Sequence, residues 1–465
     1  MPRVHSFTDD ALADLDAVGL VRALQAKQVS AAELAEAAIA RTEAVNPALN
    51  GLAYQAYDRA RATEAGHGYF AGLPSFIKDT TDVAGMPTMK GTDAWTPTPI
   101  AQDGKFTAVF GTLGFTLLGK TRLSEFGFSC TCEHPRLGPV RNPWDTDRTA
   151  GASSSGAGAF VAAGVTPIAH ANDGGGSIRI PASCNGLVGL KPTRGRLPAE
   201  SEYRQLPINI VADGVVTRSV RDTAAFYREA ERVWRHPKLP PIGDITGPGK
   251  RRLTIGVTTE SLRRDSASGV RAATEETAAL LEELGHRVEW VNRPPAPESF
   301  PDDFLLYWAF CSMATVRSGK RLFGPSFDKS KLDNLTMGLD RHAVRNLHRL
   351  PAAIARLAAT RRRMAKFTGR FDVLLTPTVA DEPLPVGAID PMDDYPNIVD
   401  KLVDWVAFTP LHNVTGDPAI SLPLARSESG LPIGMMFAAP LGSDATLLEL
   451  AYELEDARPF ARIQD

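Results

Sequence analysis

The chain has 465 residues, and its 51 Lys plus Arg against 54 Asp plus Glu give a formal net charge of −3 at pH 7. This near balance offers no electrostatic reason to expect nucleic acid or an anionic membrane surface as a partner. With 43% hydrophobic and 23% charged residues, the composition is that of a folded globular protein and excludes a disordered chain.

We expect neither a membrane span nor a secretory signal. No apolar run reaches the roughly 18 residues of a membrane span, and aspartates occupy positions 9 and 10, where a secretory signal would be apolar. The four cysteines (Cys130, Cys132, Cys184 and Cys311) are too scattered for a disulfide framework, and no ligand pair completes a metal site at Cys130 and Cys132. We therefore expect a cytoplasmic protein without a bound metal.

The first part of the chain predicts helices. Ser30 and Glu33 form a capping box ahead of an apolar face, and Asn46-Pro47 is expected to end that helix. From about residue 66 to residue 228 the pattern changes to short apolar runs separated by glycine. We predict an N-terminal helical segment at 1–65, packed on a core at 66–230.

The rest of the chain, 231–465, is expected to complete the same domain after a Pro/Gly-rich connection at 234–249. A strand at 253–257, a helix at 270–284 and a strand at 287–291 predict one βαβ unit, and hence an α/β sheet with parallel members. Residues 301–370 are predicted to be mostly helical, further strands begin at 372, 419 and 433, and a helix covers 447–454. The helical stretch carries an aromatic cluster that suits either core packing or a pocket wall; it comprises Phe304, Leu305, Tyr307, Trp308 and Phe310.

Three short motifs are read as coincidences. Residues 114–121 match the spelling of a phosphate-binding loop, but Phe, Thr, Leu and Leu between its glycines predict a buried strand. Ser75 and Lys78 match a Ser-x-x-Lys pair, yet Phe76 and Ile77 between them favour an extended segment over a helical turn. The surroundings of Ser154 resemble a nucleophile elbow that lacks its first glycine.

Two glycine-rich segments carry the chemistry. They are residues 151–158 and 172–181, and apolar runs flank both, which argues against flexible linkers. Gly174, Gly175 and Gly176 directly precede Ser177, so successive N–H groups can converge beside its hydroxyl. This pattern predicts an oxyanion hole with its nucleophile attached.

A nucleophilic serine needs a base, and Lys78 is the best candidate. Neighbouring Phe76 and Ile77 supply the desolvation that would keep its amine neutral near pH 7, and in an extended segment Asp79 points to the opposite face. His170 lies in an alanine-rich strand and is more typical of a packed core residue. His412 would act as a base only if Ser154 were the nucleophile of an elbow.

Taken together, these segments resemble the amidase signature family. That family combines a Lys-Asp segment, a Gly-Gly-Ser-Ser-Gly-Gly segment about 75 residues later and an Asp-x-Gly-Gly-Ser-Ile-Arg segment. Here 75 residues separate Lys78 from Ser153, and 24 separate Ser153 from Ser177. Further similar segments at 119–126, 141–145, 189–193, 374–378 and 430–434 extend the resemblance over essentially the whole chain.

The resemblance implies a large mixed, twisted β-sheet covered by α-helices, bearing a Ser–cis-Ser–Lys triad and needing no cofactor. Ser177 would attack a carbonyl carbon, Ser153 would relay its proton, and neutral Lys78 would accept it. The N–H groups of Gly174, Gly175, Gly176 and Ser177 would hold the oxyanion.

Some details of this assignment stay open. Ala152 and Ser155 replace family glycines, so Ser154 and Ser155 compete with Ser153 as the bridging residue, although the 24-residue spacing favours Ser153. Asp173 and Arg179 either pair to support the glycine turn or touch the substrate, and we favour pairing.

The segment around Ser177 is most similar to bacterial amidases that act on cyclic amides, with urethanases as relatives. We expect a neutral, hydrophobic amide substrate, with esters and carbamates as further substrates, in a pocket built from 86–100, 125–133 and 304–327. The alternatives are the A subunit of a glutamine-dependent aminoacyl-tRNA amidotransferase and an inactive binding scaffold. No nucleic-acid or membrane partner is expected, and the protein is predicted to be a monomer or homodimer.

Overall fold

The computed structural model describes residues 3–64, 66–294 and 296–465. The predicted boundary between 1–65 and 66–230 falls at Ala65, outside the described residues. The helices are α1 (Ala17–Gln25), α2 (Ala31–Leu49), α3 (Tyr57–Ala62), α4 (Lys105–Thr112), α5 (Ser155–Ala162), α6 (Arg179–Asn185), α7 (Ser201–Arg204), α8 (Val220–Val233), α9 (Ser268–Glu283), α10 (Phe300–Phe323), α11 (Asn334–Asn346), α12 (Leu350–Thr368), α13 (Tyr395–Trp405), α14 (Pro410–Thr415) and α15 (Asp444–Ala457). The strands are β1 (Leu52–Gln55), β2 (Pro74–Lys78), β3 (Thr116–Thr121), β4 (Glu133–His134), β5 (Gly138–Pro139), β6 (Ile168–Asp173), β7 (Val188–Lys191), β8 (Ala212–Thr217), β9 (Thr254–Val257), β10 (Arg287–Trp290), β11 (Val373–Pro377), β12 (Ala419–Arg426) and β13 (Pro432–Ala438).

The helix α2 begins at the predicted capping box but does not end at Pro47. The Ser30 side chain accepts from the Glu33 N–H and the Glu33 carboxylate accepts from the Ser30 N–H, so the predicted start is confirmed. The helix runs through Pro47 to Leu49 because proline costs the last turn only one backbone hydrogen bond, while Leu49 is fully buried there. Asn50, in the left-handed conformation, ends the helix.

A mixed sheet forms the centre of the molecule. Within the described residues, eight strands lie in the order β10-β9-β11-β13-β12-β7-β8-β6. The strands β9, β10 and β11 pair in parallel, whereas the pairs from β11 to β6 are antiparallel. The predicted α/β class, with a mixed sheet covered by helices, is confirmed, and the predicted βαβ unit is the parallel pair β9 and β10 joined by α9.

A smaller sheet stands beside the edge strand β6. Its order is β1-β3-β2, with β2 parallel to β3. The Ser75 hydroxyl donates to the Ile168 carbonyl at 2.9 Å, and the Lys78 N–H donates to the His170 Nδ1 at 3.2 Å. These contacts hold β2 alongside the first half of β6, and the candidate site lies where both strands end.

The remaining predicted elements of the C-terminal part are also present. The late strands correspond to β11, β12 and β13, the last helix to α15, and 301–370 is mostly occupied by α10, α11 and α12. Among the described residues, no helix combines the length and the apolar character that crossing a lipid bilayer requires.

Candidate active site

Lys78 is the last residue of β2, and its side chain is fully buried. Its Nζ donates to the Ser153 Oγ at 2.7 Å and to the Asn172 Oδ1 at 2.6 Å. Burial disfavours the charged ammonium and lowers the pKa of Lys78 to about 7, although the carboxylates of Asp173 and Asp213 act in the opposite direction. The amine is therefore a base poised near neutral pH.

Asp79 does not share this environment. Its carboxylate accepts from the Met89 N–H at 3.2 Å and lies 3.6 Å from the Lys120 Nζ, so it is neutralised away from Lys78. Alternation along an extended backbone sends consecutive side chains to opposite faces, as the sequence indicated.

Ser153 lies in the turn that leads into α5. The peptide bond between Ala152 and Ser153 is cis. Of the three consecutive serines, Ser153 faces Lys78, whereas the Ser154 hydroxyl donates to the Ser177 carbonyl at 2.5 Å and the Ser155 hydroxyl donates to the Gly151 carbonyl. The bond from Ser154 also places the Ser153 turn directly against the Ser177 turn.

The glycine turn joins the end of β6 to α6. Gly176 has a φ of +138°, and a Cβ there would lie 2.4 Å from the Thr409 Oγ1, so both conformation and space require glycine. Asp173 is fully buried, and its carboxylate accepts from the Gly176 N–H at 2.7 Å and from the Ile178 N–H at 3.2 Å. The carboxylate thus shapes the turn that carries Ser177.

Arg179 completes this support and touches the same carboxylate. Its Nε and Nη2 each lie 2.9 Å from an oxygen of Asp173, and it also donates to the Thr409 carbonyl and the Asn413 Oδ1. Burial alone would raise the pKa of Asp173, but the Arg179 guanidinium holds it below its usual range. The two side chains form a fully buried ion pair.

The Gly176 N–H, one of four predicted oxyanion donors, is engaged by Asp173. The Gly175 carbonyl accepts from the Thr409 hydroxyl at 2.6 Å. Among the described residues, the N–H groups of Gly174, Gly175 and Ser177 have no hydrogen-bond partner. The Ser177 hydroxyl also has no hydrogen-bond partner among the described residues, and its residue is 7% exposed at the cavity. The turn therefore presents a free hydroxyl beside free N–H groups.

Sequence reasoning missed two asparagines at the site. Asn172 contacts Lys78 directly, and its position next to Asp173 in the glycine-rich segment was the available signal. Asn413 lies 240 positions after Asp173 in the sequence, and its amide donates to the carbonyl and the Oδ1 of Asp173. No local sequence signal marks Asn413.

The look-alike motifs have structural explanations. Lys120 lies on the buried strand β3, where its Nζ donates to the Thr88 Oγ1 at 2.6 Å, so residues 114–121 form no phosphate loop. Ser75 lies on the strand β2 and bonds the Ile168 carbonyl, away from Lys78.

Neither histidine contacts the Ser177 hydroxyl. His170 is fully buried in β6, stacks on Phe106 with ring centroids 4.2 Å apart and bonds Asp213. Burial lowers the pKa of His170 and lowers that of His412 well below its ordinary value. Both are packed residues, as predicted for His170.

An apolar cavity leads to Ser177. It encloses about 950 Å³ of space, part of it open to solvent, and Arg263 is the only charged side chain among the described residues that line it. The aromatic cluster on α10 divides: Phe304, Leu305 and Trp308 line the cavity, whereas Tyr307 is fully buried and bonds the Ile208 backbone.

The predicted pocket loops are partly wrong. Gly127–Cys130 from the predicted 125–133 loop lines the cavity, but none of 86–100 does. Trp95 instead stacks on Phe323 at 4.2 Å, and apolar packing holds this segment on the outer part of α10. The missing walls come from 261–263 and 402–411, and no sequence pattern connects these two segments.

A buried amine of lowered pKa, a hydroxyl hydrogen-bonded to it and a second, unpartnered hydroxyl in a turn with free N–H groups are parts that nucleophilic acyl transfer can use. The amine can accept a proton near pH 7, and the N–H groups can stabilise an oxyanion. The apolar cavity supplies room for an uncharged group next to the hydroxyl.

The chain is similar to known amidases in sequence and in structure. The sequence model of the amidase family matches residues 33–448. "Putative amidase AmiC" of Mycobacterium leprae (strain TN) is 65% identical over 466 residues, covering 100% of this chain and 99% of that protein. The 6-aminohexanoate-cyclic-dimer hydrolase of Paenarthrobacter ureafaciens is 32% identical over 474 residues, covering 96% of this chain and 95% of that protein. A solved structure of 6-aminohexanoate cyclic dimer hydrolase superposes with a TM-score of 0.88 at 29% identity, covering 98% of this chain and 99% of that one.

Proposed function

The chain belongs to the amidase signature family and is an amide hydrolase, and on that premise we propose that Ser177, Ser153 and Lys78 carry its reaction. The observation that supports this assignment most directly is the 2.7 Å contact between the fully buried Lys78 Nζ and the Ser153 Oγ. It couples the base of lowered pKa to the turn that lies against the Ser177 turn.

In the first half-reaction, the Ser177 Oγ attacks the amide carbonyl carbon and forms a C–O bond. The Ser177 proton passes to the Ser153 Oγ while the Ser153 proton passes to the Lys78 Nζ, which becomes an ammonium. When the tetrahedral intermediate collapses, the C–N bond breaks and the ammonium returns a proton through Ser153 to the leaving nitrogen. The free amine departs and an acyl ester remains on Ser177.

In the second half-reaction, water attacks the ester carbonyl and gives up its proton through Ser153 to Lys78. The C–O bond to Ser177 then breaks, and the proton returns to the Ser177 oxygen. The balance is one amide and one water converted to one acid and one amine.

The oxyanion is stabilised by backbone N–H groups of the glycine turn. We assign this role first to Gly174, Gly175 and Ser177, because the Gly176 N–H already donates to Asp173 in the resting site. The Gly176 N–H contributes by holding the turn, together with Arg179 through Asp173. Donors fixed in this way need no reorganisation when charge develops on the substrate oxygen.

The substrate is proposed to be an uncharged amide with a hydrophobic acyl or aryl group. The cavity offers aromatic and aliphatic side chains. Arg263, the one charged residue among the described residues that line it, lies 3.3 Å from carboxylates of Asp400 and Asp404. Burying a charged substrate group here would cost several kcal/mol because no buried counter-charge compensates for lost hydration. Esters and carbamates of similar shape present the same carbonyl and are proposed as further substrates.

The test is hydrolysis of a matched panel with one aryl leaving group, presented as amide, ester and carbamate. We expect the wild type to turn over the amide, and Ser177→Ala to lose about 10⁴-fold or more in kcat, because the nucleophile is removed. Ser201→Ala, which changes an exposed serine, is the matched control and should behave as the wild type.

Each result of this panel discriminates between functions. Persistent turnover in Ser177→Ala would contradict the nucleophile assignment, and the ranking across the panel would define the substrate class. If the wild type hydrolyses none of the panel, the result favours either the partner-dependent amidotransferase or a pocket too narrow for the panel.

A further inference from the structure

Oxygen atoms of Asn172 and Ser153 surround the Lys78 amine. The Asn172 Oδ1 lies 2.6 Å from the Lys78 Nζ and its backbone carbonyl oxygen lies 3.5 Å away. With the Ser153 Oγ at 2.7 Å, three oxygens therefore face one nitrogen. Asn172 is only 6% exposed, so water does not replace these contacts freely.

A second hydrogen bond holds the Asn172 amide in place. Its Nδ2 donates to the Thr80 Oγ1 at 3.1 Å. The Thr80 hydroxyl can donate or accept, so the lysine decides the orientation of the amide. The ammonium form of Lys78 has donors only and therefore requires the Asn172 oxygen, not its NH₂ group, to face it.

The N–H groups and the lone pair of the Lys78 amine match the three surrounding oxygens. A neutral lysine amine has two N–H donors and one lone pair, whereas the ammonium has three donors. In the neutral form, the two Asn172 oxygens can take both N–H groups, which leaves the lone pair directed at the Ser153 hydroxyl. In the charged form, the third N–H donates to the Ser153 Oγ along the same line. Both protonation states satisfy the same three oxygens without rotation of the amine.

We propose that Asn172 is a positioning residue that holds both N–H groups of neutral Lys78 and so aims the lysine lone pair at the Ser153 hydroxyl. This inference rests on the proposed function of Lys78 as the base. It adds the residue that lets a proton pass between Lys78 and Ser153 without rotation of the lysine amine.

The charge around Lys78 explains why an uncharged acceptor is needed. Asp173, Asp213 and Cys132 are the groups that favour the ammonium, and His170 is a buried ring whose Nδ1 accepts from the Lys78 backbone. Burial outweighs them and lowers the pKa of Lys78 to about 7. A carboxylate at position 172 would add a negative charge at hydrogen-bond distance and would favour the inactive ammonium.

The experiment measures kcat and kcat/KM from pH 5.5 to 10 for the wild type, Asn172→Asp, Asn172→Leu and Thr80→Val. In the wild type, activity should rise with pH through a midpoint near 7, as Lys78 loses its proton. Asn172→Asp should shift this midpoint upwards by about one unit or more and recover most activity at the alkaline end.

The apolar variant separates positioning from charge. Asn172→Leu removes the side-chain acceptor at 2.6 Å without adding charge and keeps the backbone carbonyl at 3.5 Å. We expect kcat to fall about tenfold to a hundredfold at every pH, with KM nearly unchanged. Thr80→Val should give a smaller loss of the same kind. Gln205→Glu, which adds the same charge at an exposed position, is the matched control and should keep the wild-type midpoint.

The proposal is overturned if Asn172→Asp keeps the wild-type midpoint and Asn172→Leu keeps the wild-type kcat. Melting temperatures establish that each variant is folded, and if Asn172→Leu is not, a wild-type kcat and midpoint in Asn172→Asp and Thr80→Val overturn the proposal. Lys78→Ala in the same assay separates failure of the proposed function from failure of this inference. If Lys78→Ala retains turnover, the proposed function is contradicted. If Lys78→Ala loses turnover while the Asn172 variants are unaffected, only this inference is contradicted.

Discussion

Lys78 owes its chemistry to position rather than to residue type. It ends a strand whose five residues are all buried, and that burial lowers the pKa of its amine to about 7. Asp79 follows it in the sequence but pairs with Lys120, so the adjacent negative charge does not hold Lys78 in its protonated form. At this scale, the strand pattern predicted the desolvation, whereas the Asn172 contact depends on how β2 meets β6.

The lowered pKa of Lys78 predicts how stability depends on pH. Above about pH 7 the folded protein holds the amine neutral, whereas the unfolded chain keeps the proton up to about pH 10.4. The unfolded state therefore binds more protons in this window, and the free energy of unfolding should rise with pH. Relative to Lys78→Met, the wild type should gain about 1.4 kcal/mol per pH unit between pH 7.5 and 9 in urea unfolding.

The control for this measurement is Lys329→Met, which changes an exposed lysine. Its stability difference from the wild type should not vary with pH. A pH-independent difference between the wild type and Lys78→Met would show that Lys78 is not neutral in the folded protein.

Helix α10 shows how one element serves both core and cavity. Phe300, Phe304 and Trp308 follow each other at four-residue spacing, which places them on one face, and their neighbouring ring centroids lie 6.1 and 5.7 Å apart. A Cβ built on Gly174 would lie 3.3 Å from the Trp308 ring, so this face also covers the glycine turn. Tyr307, on another face, packs into the core.

The aromatic face of α10 should select for substrate size. Phe304→Ala removes a wall of the cavity near Gly175, so kcat/KM for aryl and long-chain amides should fall about tenfold. An acetyl amide has a much shorter acyl group, so we expect its hydrolysis to depend less on this wall and to stay near the wild-type rate. The measurement is a series of acyl groups on one leaving group.

Leu322→Ala, on the same helix but 53% exposed, is the control for this series. Equal losses for acetyl and long-chain amides in Phe304→Ala would mean that Phe304 supports the fold and does not contact the acyl group.

At the scale of the whole molecule, the main sheet joins regions that lie far apart in the sequence. The strands β6, β7 and β8 come from 66–230, whereas β9 to β13 come from 231–465, and β12 pairs with β7 between the two groups. The N-terminal helix α1 is attached as well, because the Asp222 carboxylate on α8 accepts from the N–H groups of Ala17 and Val18.

Because one sheet contains strands from both 66–230 and 231–465, we predict that these two parts of the chain unfold together. A denaturant series followed by hydrogen exchange should expose the amides of β7 and β12 at the same denaturant concentration, because each strand loses its partner when the other unfolds. A fragment of residues 1–230 should not fold alone. Loss of protection in one strand while the other stays protected would instead divide the chain into two folding units.

The sequence by itself determined the class of chemistry. Glycines next to Ser177, a lysine in an apolar strand and the spacing to Ser153 reflect local needs: backbone freedom, desolvation and chain length. Such needs leave marks within a few residues, and the strand and helix periods that predicted the mixed α/β fold are equally local.

Only the tertiary structure decided which groups meet. Asn172 reaches Lys78 across 94 positions, and Asn413 reaches Arg179 across 234. The cavity walls at 261–263 and 402–411 likewise meet residues of α10 only in the folded chain. Contacts of this kind depend on the folding of distant segments onto one sheet, and no local pattern specifies them.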